Sequence, residues 1–118
     1  MKLLEIRTYK LHADASQRFI EAFQLALPLL QESGIDVVAF GQSNHEHDSF
    51  YLVRAFKDQS HMIASQDAFY SSEAWRQGPR ESLVACIESY LNTLLWLNNE
   101  GIEDLRKRNG LLVEGTPC

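Results

Sequence analysis

The chain has 118 residues, 45% of them apolar, and a formal net charge of −5, enough for one hydrophobic core and too little for a second domain of its own. Its one basic cluster is Arg106-Lys107-Arg108, so nothing favours counterion-releasing contact with phosphates, and neither nucleic acid nor an anionic membrane is expected as a partner. No stretch approaches the roughly 18 apolar residues of a membrane span, and no charged-then-apolar leader follows Met1, so the expected location is the cytoplasm.

Leu3 to Leu11 alternates as a half-buried strand, with Leu4 and Ile6 on one side and Glu5, Arg7 and Tyr9 on the other. Asp14 stands three residues before Gln17, a capping-box spacing that opens a helix. Phe19, Phe23, Ala26, Leu27 and Leu30 form its apolar stripe up to Ser33, and Gly34 is the expected left-handed stop. Pro28 falls inside and predicts a kink rather than a break, because the stripe keeps its register on both sides. Asp36 to Ser43 and Ser49 to Phe56 read as an antiparallel hairpin around the polar turn Asn44 to Asp48. Asp58 or Ser60 caps a second helix reaching about Tyr70, and Ser71 or Ser72 restarts a short turn around Trp75. Pro79 suits the first position of a further helical turn. Glu88 to Leu97 reads as a last strand, although Leu83, Ile87 and Leu91 can equally extend a helix. Asn98 or Asn99 caps a short charged helix ending near Asn109-Gly110, with a loose tail to Cys118.

The order strand, helix, strand, strand, helix, strand is the α+β, ferredoxin-like βαββαβ pattern: a four-stranded antiparallel sheet with its helices on one face. If Leu4 and Ile6 point at the helices, Glu5, Arg7 and Tyr9 line the open face. In the third strand Tyr51, Val53 and Ala55 can take the helix side and leave Phe50, Leu52, Arg54 and Phe56 opposite. So apolar a face is expected to be buried against a second copy, as a homodimer.

Leu4-Glu5-Ile6-Arg7-Thr8-Tyr9, then Leu27-Pro28-Leu29-Leu30 with Gly34-Ile35, then Tyr51-Leu52-Val53-Arg54, and the Phe69 to Trp75 segment resemble, in that order, the NIPSNAP family. The resemblance covers roughly residues 3 to 97 and implies a domain over 1–97 followed by a separate C-terminal helix and tail over 98–118. It also implies a dimeric α+β barrel, in a superfamily that includes cofactor-independent quinol monooxygenases, haem-degrading enzymes and lactone isomerases. The chain departs from that pattern after the last strand, where Leu97-Asn98-Asn99-Glu100-Gly101 and a charged helix replace a proline-containing segment.

Arg7 and Arg54 come from strands that neighbour each other in such a sheet, so both guanidiniums can reach one cavity and bind a carboxylate or a developing enolate or phenolate. The competing reading is an internal ion pair with Glu5. Tyr9 can donate a hydrogen bond to the same ligand, or simply fill an interface. Arg7, Tyr9 and Arg54 are therefore the candidate catalytic residues, and Glu5, Phe50, Phe56 and Trp96 the candidate ligand contacts, for a small aromatic or anionic molecule. The alternative is a non-catalytic homodimerisation module with the same face wholly packed. No cofactor is expected: a haem would need an axial ligand inside the barrel, and His12, His45, His47 and His61 all lie off the predicted strands. His45 and His47 suggest metal ligands by spacing, but in a turn without a third ligand they read as a solvated loop. His61 reads as a surface histidine at a helix start rather than a general base, and Cys86 as a buried inert thiol not paired with Cys118.

Overall fold

The computed structural model describes residues 1–109. Strand β1 (Lys2–Leu11) leads to helix α1 (Ser16–Glu32), then to β2 (Asp36–Gln42) and β3 (Ser49–Phe56). Helix α2 (Gln59–Tyr70), the short α3 (Glu73–Arg76) and α4 (Arg80–Cys86) bring the chain to β4 (Ile87–Leu97), and α5 (Asn99–Arg108) follows. The strands form one antiparallel sheet in the order β2-β3-β1-β4. This is the ferredoxin-like arrangement that the alternation of patterns predicts. Among the described residues no helix is long and apolar enough to cross a membrane.

Local signals explain most boundaries. The carboxylate of Asp58 accepts the His61 N–H, the side-chain amide oxygen of Asn98 accepts the Gly101 N–H, and the Ser72 hydroxyl accepts the Trp75 N–H, each satisfying an orphan donor of a helix start. Gly34 ends α1 at φ 88°, where a side chain would be strained. The helix runs unbroken across Pro28. Its start differs from the capping-box expectation: Ala15 is the cap residue and has no side-chain cap bond. Asp14 adopts φ 63°, turning the chain sharply at that residue. The capping carboxylate comes instead from the hairpin loop, where Asp48 accepts the Asp14 N–H at 3.0 Å and the Ser16 hydroxyl at 2.7 Å. That hydroxyl, then the Asp14 N–H, holds the Asp48 carboxyl below the usual carboxylate range.

The two faces of the sheet are assigned the other way round from the sequence expectation. Leu3, Tyr9 and Leu11 of β1 and Phe50, Leu52 and Phe56 of β3 join Phe19, Phe23, Met62 and Phe69 in the core beneath the helices. Leu4, Val53 and Ala55 belong to a second cluster with Val38, Ala39 and Ile102. The grouping of Glu5, Arg7 and Tyr9 with Phe50, Leu52, Arg54 and Phe56 on one face holds, since Glu5 lies opposite Arg54, Arg7 opposite Leu52 and Tyr9 opposite Phe50. That face is the helix-covered one. The cause is α5, which packs Ile102 onto the second face beside Leu4 and Ile6, so that apolar pair does not mark the side of the main helices. A shift of register between Val37 and Ala39 leaves Val38 as an extra residue in β2, fully buried in that cluster.

Arg106 clamps α5 in place. Its guanidinium donates to both oxygens of Asp36, at 2.8 and 3.1 Å, and to the Val37 carbonyl at 3.0 Å. The Tyr51 hydroxyl donates to the Asn109 side chain at 2.5 Å. The charged helix is thus tied to the sheet, and Arg106 also pairs with Glu103 one turn earlier, at 3.2 Å. Cys86 is buried, with its thiol donating to the Ser82 carbonyl; Cys118 and the predicted tail lie outside the described residues.

Candidate functional site

Directly paired strands set the centre of the site. Glu5 and Arg54 face each other across β1 and β3, and neither side chain has any exposure. The Glu5 carboxylate accepts from Arg54 Nε at 2.7 Å, and Nη2 lies 2.5 Å from the same oxygen as an ion pair. Its other oxygen accepts from Gln66 Nε2 at 2.9 Å and Asn92 Nδ2 at 3.3 Å, with Arg7 Nη2 at 3.5 Å. A buried carboxylate stays charged only when so surrounded. Nη2 of Arg54 has no hydrogen bond of proper geometry, so the pair is charge-matched without being fully satisfied.

Two guanidiniums therefore share one carboxylate, and the surplus positive charge is turned toward Tyr70. The Tyr70 hydroxyl accepts from Arg54 Nη1 at 2.9 Å and from Arg7 Nη1 at 3.3 Å. Arg7 is further held by Asn92, which accepts its Nε–H at 2.8 Å, and by the Tyr90 ring, whose centroid lies 4.5 Å away. Burial opposes the charge on Arg54, yet Tyr70 and Glu5 together raise its pKa above the ordinary value.

Tyr9 lies beside this network inside an aromatic cluster, 5.2 Å from Phe19 and 6.2 Å from Tyr90 between ring centroids. Burial, then the neighbouring Tyr70, pushes its pKa up to about 12 against the pull of Arg7 and Arg54. It is thus a neutral hydrogen-bonding group at physiological pH. Phe50 packs between Phe19, Phe23 and Phe40, and Phe56 lies against His61; both are buried in the core and neither borders the concavity beside Tyr70. Trp96 is half-exposed on β4, opposite Leu3, and is not brought to Tyr70. Gln66, Tyr70, Tyr90 and Asn92 are the site residues that the sequence reading did not identify. Gln66 and Tyr70 stand one helical turn apart at the end of α2 and carried a signal only once the charged strand face was known to lie under that helix.

Tyr70 divides two spaces. On its inner side is a small apolar cavity of about 30 Å³, lined among others by Tyr9, Phe19, Leu52, Phe69 and Trp75. That is room for about one water. On its outer side is an open concavity of about 570 Å³ bounded by Tyr70, Ser71, Arg76, Arg80 and Glu81. The histidines lie elsewhere: His61 accepts the Lys57 N–H at its Nδ1, and His45 pairs with the Ser43 hydroxyl. Among the described residues no three His, Cys, Asp or Glu side chains are grouped as metal ligands.

No protein-family model matches the chain, and no curated protein does. Solved structures do. A NIPSNAP domain protein from Burkholderia xenovorans is 19% identical at a TM-score of 0.72, covering 82% of this chain and 95% of its own. A NIPSNAP family protein from Agrobacterium tumefaciens, itself of unknown function, is 16% identical at 0.73, covering 80% and 86%. An antibiotic biosynthesis monooxygenase-like protein from Nitrosomonas europaea is 16% identical at 0.63, covering 83% and 91%. The chain accordingly has the fold of the NIPSNAP-domain proteins, an α+β fold that these structures share with antibiotic biosynthesis monooxygenase-like proteins.

Proposed function

We propose that this chain is a cytoplasmic homodimeric protein that binds a small phenolic or anionic aromatic molecule at the mouth formed by Arg7 and Tyr70. The observation that carries the reading is the uncompensated charge: two guanidiniums on one carboxylate, with Tyr70 joining them to a solvent-open concavity. Such a site stabilises a phenolate or enolate, because its donors are fixed in place by the fold and need no reorganisation. That electron-rich form is the one on which a cofactor-independent monooxygenase or isomerase works, and the similarity to antibiotic biosynthesis monooxygenase-like structures supports this chemistry. The bulk of the ligand belongs in the outer concavity, since the inner cavity is too small for a ring.

Self-association is supported by β4. Along this 11-residue edge strand Tyr90, Leu91, Leu94, Leu95 and Trp96 are all exposed, and no proline or lysine guards it. Such an edge invites a second chain.

A second reading, a non-catalytic dimerisation module, is favoured by the near absence of free volume behind Tyr70. A thermal-shift screen of phenols and aromatic acids, followed by calorimetric titration of the parent, Arg7→Met and Tyr70→Phe, separates the two. The proposal expects binding that Arg7→Met abolishes and Tyr70→Phe weakens by about 0.5–1.5 kcal/mol, the net value of one hydrogen bond. Absence of any ligand, or undiminished binding by both variants, rejects it in favour of the module.

A further inference from the structure

We infer that Arg76 and Arg80 are the acid-recognition groups of this mouth, so that its ligand is an aromatic carboxylate. The inference rests on the reading of the Arg7–Tyr70 mouth given above and narrows it to a substrate class.

Arg76 closes α3 and Arg80 opens α4, with only Gln77-Gly78-Pro79 between them. The turn is tight: a Cβ on Gly78 would stand 2.4 Å from the Ala74 carbonyl oxygen, so only glycine permits it. The result is that both arginines border the same concavity as Tyr70. Among the described residues neither takes part in an ion pair or side-chain hydrogen bond, whereas Arg7, Arg54 and Arg106 are each paired. Glu81 is the one carboxylate among the residues bordering the space, and among the described residues it pairs with neither arginine. The residues that border the concavity thus bring two unpaired guanidiniums, Arg76 and Arg80, against the single carboxylate of Glu81, in a chain whose net charge is −5. A local field opposite in sign to the whole molecule selects and concentrates an anion.

The chemistry then divides along the concavity. A guanidinium presents parallel N–H donors that match a carboxylate's two oxygens. With the acid group on Arg76 and Arg80, the ring lies along Tyr70, and a hydroxyl at the far end of the ring approaches the Tyr70 hydroxyl and Arg7. Arg76 and Arg80 determine which molecule is held; Arg7 and Tyr70 receive the group that reacts.

The probes are 4-hydroxybenzoate, phenol, benzoate and inorganic phosphate, titrated calorimetrically into the full-length chain. The parent should bind 4-hydroxybenzoate at least 10-fold more tightly than phenol. The Arg76→Gln/Arg80→Gln double variant should reduce that affinity to the level of phenol while leaving phenol binding and the circular dichroism spectrum unchanged. Each single variant gives an intermediate loss, which keeps the test valid if the double variant folds poorly. Equal binding of phenol and 4-hydroxybenzoate by the parent overturns the role of the two arginines and leaves the Arg7–Tyr70 mouth standing. Failure of every aromatic probe to bind overturns both. Phosphate displacing 4-hydroxybenzoate as effectively as benzoate does would show a general anion site and overturn the aromatic assignment.

Discussion

Replacing Glu5 with Gln should be among the most damaging conservative changes in the chain. The amide keeps the volume of the carboxyl and removes its charge, leaving the guanidiniums of Arg54 and Arg7 facing each other with no anion between them, in a place where Arg54 has no exposure and Arg7 only 12%. The amide oxygen can still accept one or two of the bonds now made by Arg54, Gln66 and Asn92, but its NH₂ meets donors where an acceptor is required. Breaking a buried pair by removing one partner costs about 3–5 kcal/mol. A domain of this size has about 5–15 kcal/mol in all, and each kcal/mol shifts its melting temperature by roughly 3–6 °C, so Glu5→Gln should lower Tm by about 10–25 °C. Urea titration followed by circular dichroism measures the free-energy change, with the slope checked for an altered unfolded state. A loss under about 1 kcal/mol would refute the reasoning, since it would mean that Glu5 is not what keeps two buried cations tolerable.

Tyr9 links stability to alkaline pH: because burial raises its folded pKa to about 12, its contribution is complete below the unfolded value near 10 and is lost between the two. Stability of the parent should fall by about 2–3 kcal/mol more than that of Tyr9→Phe across this window, at about 1.36 kcal/mol per pH unit, as read by denaturant titration at stepped pH. Asp48 acts at the other end: its folded pKa is depressed by the Ser16 hydroxyl and the Asp14 N–H, so its stabilisation is present above the ordinary carboxylate range and lost as pH falls through the lowered value. Asp48→Asn should flatten that part of the acid limb. Arg106→Gln should release α5, raising hydrogen exchange across Asn99–Arg108 at least 10-fold while the strands stay protected, because the guanidinium holds Asp36 and Val37 together against that helix.

The order of elements was legible because each carries its own period or cap: the 3.6-residue stripe from Phe19 to Leu30, the paired Val-, Phe- and Tyr-rich runs around Asn44 to Asp48, and the capping residues Asp58, Ser72 and Asn98. Which residues share a strand face was legible too, since alternation fixes it. Which face lies under the helices was not. Leu3 and Leu11 stand on the same side as Glu5, Arg7 and Tyr9, so β1 is apolar on both sides, and only the position of α5 shows why. The ion pair of Arg54 with Glu5 was one of two open readings and is present. Arg7 reaches the same cluster, whereas Phe50 and Phe56 serve the core. Tyr70 and Gln66 stayed hidden because α2 has little amphipathic pattern to show which of its sides meets the sheet.

The most direct measurement is a crystal structure of the chain grown with 4-hydroxybenzoate. One ligand is expected in the concavity beside Tyr70, with its hydroxyl within hydrogen-bonding distance of the Tyr70 hydroxyl or Arg7 and its carboxylate on Arg76 and Arg80. A ligand seated on the second sheet face beside Leu4 and Val53, or an empty concavity at saturating ligand, would contradict it.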